Sequence, residues 1–157
     1  MTNETMTLGE ALTVRADLQQ RLGELRGRLL AVAKVQEGET PAEQPDVLLA
    51  EFEQTAERLR TLIARINRTN LAIETAEGET LTAALARRDV LAVRHKVHHE
   101  LAAAASEQSE RYSLREIKMT ATVDVAQLRR TVDELARERR ELDVALQAAN
   151  WANTLTD

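Results

Sequence analysis

From Leu8 to Val32 apolar residues recur at alternating steps of three and four, through Leu8, Ala11, Leu18, Leu22, Leu25, Leu29 and Val32, with Arg15 in the remaining place. That spacing keeps side chains on one stripe of an α-helix and predicts a helix over about residues 8–36 with a coiled-coil-like seam. The run Leu48, Phe52, Leu59, Leu62, Ile63 and Ile66 predicts a second helix over 46–68, and Asp46, directly after Pro45, suits its N-cap. A third helix, over 80–105, carries two apolar faces: Val90, Val93, Val97 and Leu101 on one, and Leu81, Leu85 and Ala92 on the other. Two such faces imply two neighbours. The fourth, over 124–150, opens on Asp124 and Gln127 in capping-box spacing. It then repeats the first pattern through Val125, Leu128, Val132, Leu135, Leu142, Leu146 and Ala149, with Arg139 as its one charged seam position.

The segment from Glu37 to Asp46 holds Gly38, Pro41, Pro45 and four acids, which is loop composition. The two later connectors each hold an alternating stretch, Leu71 and Ile73 in one and Ile117, Met119, Ala121 and Val123 in the other. Period two is a strand signature, so the connectors are expected to pair as a small two-stranded ribbon over 70–74 and 117–123. The predicted architecture is all-α, one domain over residues 1–157, with four antiparallel helices in a bundle.

Composition sharpens this picture. Aromatic residues are only 2% of the chain, so the core must be aliphatic, and five Gly with two Pro leave few turns for a fold of many short strands. With no cysteine, disulfides, thiolate metal sites and a Cys nucleophile are excluded. No window approaches 18 uncharged apolar residues, and the first seven residues lack a basic cluster followed by an apolar run. These features lead to the expectation of a soluble, cytoplasmic chain with no membrane partner. A net charge of −5, mixed-sign runs such as Arg137, Glu138, Arg139, Arg140 and Glu141, and three aromatics in all also speak against a nucleic-acid partner.

The stretch Arg65, Ile66, Asn67, Arg68, Thr69 and Asn70 forms one part of a wider set. Its other parts are Glu116, Ile117 and Lys118 running on to Thr122, Val123, Asp124 and Val125, and the closing Asn150 and Trp151. As a set these residues resemble the septicolysin-like family of small bacterial helical proteins, over roughly Leu8 to Leu155. The resemblance implies a helical fold, and its name implies a thiol-activated, pore-forming cytolysin. The residues oppose that activity: there is no thiol, no export signal and no pattern that would span a bilayer.

Three groups of residues are candidate sites. His95, His98 and His99 fall within five residues on the third helix, followed by Glu100, and a spacing of four places His95 and His99 one turn apart. Such a pair can hold a divalent transition metal (Zn²⁺, Ni²⁺ or Fe²⁺), with Glu100 or Glu10 adding a carboxylate, although no His-Glu-x-x-His motif is present. Asn67, Arg68, Thr69 and Asn70, together with Arg111, Ser113, Glu116 and Lys118, form a polar connector set able to line a pocket or to end helices. Arg15 and Arg139, each within reach of a nearby acid, Asp17 or Asp143, are expected to form a structural polar layer that fixes register. The function expected from all this is a noncatalytic, homo-oligomeric helical assembly or scaffold protein. The alternative is a divalent-metal-binding protein, enzymatic or not, with its site on the third helix. Pore formation ranks third.

Overall fold

The computed structural model describes residues 6–106 and 120–156. These form four α-helices, α1 (Leu8–Ala31), α2 (Pro45–Ala72), α3 (Leu81–Ser106) and α4 (Val125–Ala152). No strand occurs among the described residues, only isolated single-residue bridges such as Thr7 opposite Thr154. The fold is all-α. Among the described residues no helix is long and apolar enough to cross a membrane. By its internal contacts the chain divides into two compact units, Met1–Glu74 with Gln147–Asp157, and Thr75–Leu146.

In the first unit α1 packs against α2 as an antiparallel hairpin. The contact runs along every seventh residue: Ala11, Leu18 and Leu25 are buried on α1, and Leu48, Thr55, Leu62 and Thr69 on α2. Repeats of seven are what a straight seam between two helices requires. Thr55 is tolerated there because its Oγ1–H donates to the Glu51 carbonyl at 2.8 Å, one turn back. Along the edge, Arg21 reaches Glu51 through Nε at 3.1 Å and Nη2 at 2.5 Å, and Arg28 reaches Glu43.

α1 begins with a complete capping box, in which the Glu10 N–H donates to Thr7 Oγ1 and the Thr7 N–H donates to the Glu10 carboxylate. It ends at Ala31, five residues short of the expected Gln36. After Val32 the next place in the seam is the polar Gln36, and the apolar Ala33 and Val35 are exposed off the stripe, so with nothing to cover it the helix has no reason to go on. The chain turns instead, with the Glu39 N–H donating to the Gln36 carbonyl and Gly38 at φ 90°, a left-handed conformation suited to glycine. α2 starts one residue before Asp46. Gln44 occupies the N-cap without a side-chain bond, Pro45 takes the first helical position its fixed φ favours, and Asp46 lies in the first turn.

The expected ribbon is absent from the described residues. Leu71 and Ala72 belong to the last turn of α2, Ile73 caps it, and residues 120–123 are not strand; residues 117–119 lie outside the described residues. A fully buried Thr69 explains the longer helix. Its Oγ1–H donates to the Arg65 carbonyl at 2.8 Å, and the same oxygen accepts the Thr156 N–H at 2.9 Å, so the last turns of α2 are held by the segment that follows α4. That segment also meets the start of α1. The Leu8 N–H donates to the Asn153 carbonyl at 2.9 Å, the Leu155 N–H to the Met6 carbonyl at 2.8 Å, and Leu155 itself is buried. Gly9 lies against the Trp151 ring.

In the second unit α3 buries Leu81, Ala84, Leu91 and Ala102, while α4 buries Leu135, Leu142 and Leu146. Arg129 Nη2 donates to Ser106 Oγ at 3.3 Å, which brings the end of α3 to the start of α4. Asp124 acts as the expected cap, its Oδ1 accepting the Gln127 N–H at 2.9 Å; the Gln127 side chain bonds Arg130 rather than reaching back. The turn before α3 closes through the Thr75 N–H to the Glu79 carbonyl at 2.8 Å. Arg87 gathers Glu77 at 2.8 Å and Glu79 at 2.6 Å. Partial burial works against the charge on Arg87, and the two carboxylates outweigh it and raise its pKa.

Candidate functional site

α3 presents its two apolar faces very differently. Leu81 is buried and Leu85 and Ala92 are half-buried, so one face is covered within the chain. The other is not. Val90, Val93, Val97 and Leu101 retain 58%, 63%, 55% and 42% of their surface. Spacings of three, four and four place them on one stripe, spanning roughly 16 Å at 1.5 Å per residue. Isolated exposed apolar residues are ordinary, whereas an aligned row of β-branched and Leu side chains is the composition of a covered surface.

His95 and His99 lie on the opposite side of this helix and His98 on its flank. The His95 and His99 rings stack with centroids 6.1 Å apart and planes 18° from parallel, so they are neighbours whose faces, not nitrogens, oppose. His98 is half-buried and its Nδ1, shielded from solvent, has no hydrogen-bond partner. Glu100 extends to Lys96 at 3.8 Å. Glu10 belongs to the first unit and is engaged in the α1 capping box. There the Thr7 N–H, then the Thr7 hydroxyl, holds its carboxyl below the ordinary value. Among the described residues no group of three or more histidine or carboxylate side chains is placed to hold a metal ion.

The polar connector set is not a connector in its first half. Asn67, Arg68, Thr69 and Asn70 are helical, in the last turns of α2: Asn67 and Arg68 are exposed, Asn70 is half-buried, and Thr69 is the buried clamp on Thr156. Arg111, Ser113, Glu116 and Lys118 lie outside the described residues.

The two seam arginines differ as well. Arg15, in the first unit, is half-buried with a shielded Nε that has no hydrogen-bond partner, and Asp17 beside it is exposed and forms no ion pair with it. Arg139, in the second unit, is exposed and meets Asp143 one turn on at 4.0 Å, a geometry worth little in water. Its long side chain leaves the seam for solvent. A shallow groove of about 310 Å³ runs along the α1–α2 hairpin, floored by Val14, Leu18 and Leu62 and edged by Arg58 and Arg65. The Arg139–Asp143 pair is legible from spacing; the groove and the exposure of each arginine are not, because they depend on which helix lies beside which.

One protein family, described as "Family of unknown function (DUF6847)", matches residues 15–155. The chain is also similar to a functionally unknown conserved protein from Corynebacterium diphtheriae, solved by crystallography. The two are 44% identical, with 96% of this chain and 99% of that one covered at a TM-score of 0.89. No curated protein matches the chain.

Proposed function

The chain belongs to this family of unknown function, whose name assigns no activity, and from its own surface we propose a noncatalytic helical assembly protein that associates with further copies of itself. The observation that carries this reading is the exposed row Val90, Val93, Val97 and Leu101. Self-association removes that row from water, and apolar burial is the main favourable term in protein association. No catalytic constellation competes with it among the described residues, where Glu10, Asp124, Thr69 and Glu100 serve caps, a backbone clamp and an ion pair. The test is a Val93→Glu/Val97→Glu variant. Both sites are exposed, so the helices persist by circular dichroism while sedimentation velocity shows dissociation; an unchanged assembly would refute the reading.

Divalent-metal binding is the second reading, favoured by His95 and His99, adjacent rings with no protein hydrogen bond among the described residues. Calorimetric titration of untagged protein with Zn²⁺, Ni²⁺ and Fe²⁺ tests it. Binding that a His95→Ala/His99→Ala variant abolishes supports this reading, and equal binding by that variant defeats it.

A further inference from the structure

The apolar row on α3 is flanked by Arg94 on one side and by two acids and Lys96 on the other, and this pattern chooses how a second copy can lie on it. With Val90 as origin and about 100° per residue, Val93, Val97 and Leu101 fall between about −60° and +20°. Arg94 stands at about +40° on one flank. Asp89 and Glu100 stand at about −100° and −80° on the other, with Lys96 at about −120° beside Glu100, which leaves Asp89 as the acid that can meet a charge across the seam. All four charged residues are exposed. Asp89 meets only its chain neighbour Arg88, at 2.9 Å, and Glu100 meets Lys96 at 3.8 Å, while Arg94 forms no ion pair among the described residues.

Two helices joined along one stripe face each other in one of two ways. In an antiparallel pair like flanks meet, which sets Arg94 beside the partner's Arg94 and Asp89 beside the partner's Glu100. In a parallel pair opposite flanks meet, which sets Arg94 beside the partner's Asp89, at the five-residue offset by which such flanking pairs form in parallel coiled coils. Like charges across a seam are unfavourable and unlike ones set partner orientation. We propose that the occupant of the exposed α3 face is the α3 of a second copy, parallel to the first, with Val93 against the partner's Val93 and Arg94 across from the partner's Asp89. This rests on the self-association proposed above and adds to it the seam and its direction.

The chain has no cysteine, so an introduced thiol reports one position only. A disulfide needs Cβ atoms about 3.5–4.5 Å apart, which a two-fold parallel seam brings within reach for a residue and its own copy. Under mild oxidation Val93→Cys should form a covalent dimer, read on a non-reducing gel. If Val93→Cys alone does not cross-link but a mixture with Val97→Cys does, the seam is antiparallel and the direction is overturned. If neither cross-links while light scattering still gives an oligomer, α3 is not the seam and the inference fails with self-association intact. A monomer by light scattering removes both. A charge exchange gives an independent reading. Arg94→Asp should weaken association about tenfold, as two attractive pairs become repulsive, and adding Asp89→Arg should restore it. An equal loss in single and double variants contradicts the pairing.

Discussion

Replacing Gly9 by Ala probes the joint where the start of α1 meets the end of α4. An ideal Cβ at Gly9 stands 2.8 Å from Trp151 Cδ2, 2.9 Å from Cε3 and 3.0 Å from Cε2. Carbon atoms pack best at about 3.5–4.0 Å, so the indole must retreat by roughly 0.5–1 Å. Trp151 is 60% exposed, so the ring can swing toward solvent; what is lost is its contact with the first turn of α1 rather than backbone geometry. Overpacking of this kind costs about 1–3 kcal/mol, against which Ala returns up to about 1 kcal/mol as the better helix former, and less in a first turn. The net expectation is a loss of about 1 kcal/mol for Gly9→Ala and about 2 kcal/mol for Gly9→Leu. In a Trp151→Ala background the ring is gone and Gly9→Ala should become mildly stabilising. Urea titrations followed by circular dichroism measure all four corners of the cycle, and the fluorescence of the only tryptophan reports whether the ring moves. A Gly9→Ala protein as stable as the parent, with unchanged emission, would refute the reasoning.

Two further expectations concern the first unit. Thr69→Val keeps the shape but removes the oxygen that accepts the Thr156 N–H, leaving that donor without its partner; a loss of about 1–3 kcal/mol in urea titration and faster carboxypeptidase trimming should follow. Unchanged stability and trimming would show that this bond does not hold the segment. The Arg28 guanidinium holds the Glu43 carboxyl below its ordinary value of 4.5, and Arg60 does the same for Glu57. Carboxyls lowered in the folded chain stabilise it above the unfolded pKa and lose that contribution as pH falls through the folded value. Thermal midpoints should therefore hold from pH 7 to about 5 and drop below about 4.5, with a shallower acid slope for Glu43→Gln; an equal slope in that variant would contradict the assignment.

The helices are legible in the sequence because their seams are long and regular. Ala11, Leu18 and Leu25, and Leu135, Leu142 and Leu146, stand in the apolar spacing and are buried. Boundaries depart from the pattern where tertiary partners decide them. The α1 seam has its last apolar place at Val32, one residue past the helix end, and the short alternation at Leu71 and Ile73 fits the end of a helix as well as a strand once Thr69 is clamped by Thr156. Thr7 and Glu10 carry the capping-box spacing in plain sight, and in that cap the Glu10 carboxylate accepts from the Thr7 N–H. Gly9 against Trp151 joins opposite ends of the chain, and no local period can signal such a contact. The two faces of α3 are visible as two stripes; only the fold distinguishes the one that is covered from the one that is not.

Light scattering of the native chain, coupled to size exclusion and repeated from about 1 to 100 micromolar, tests the central claim most directly. The exposed α3 row predicts a mass of at least twice the 17.5 kDa of one chain, falling toward it only on dilution. A mass of 17.5 kDa at every concentration would contradict self-association and leave the row without its proposed occupant.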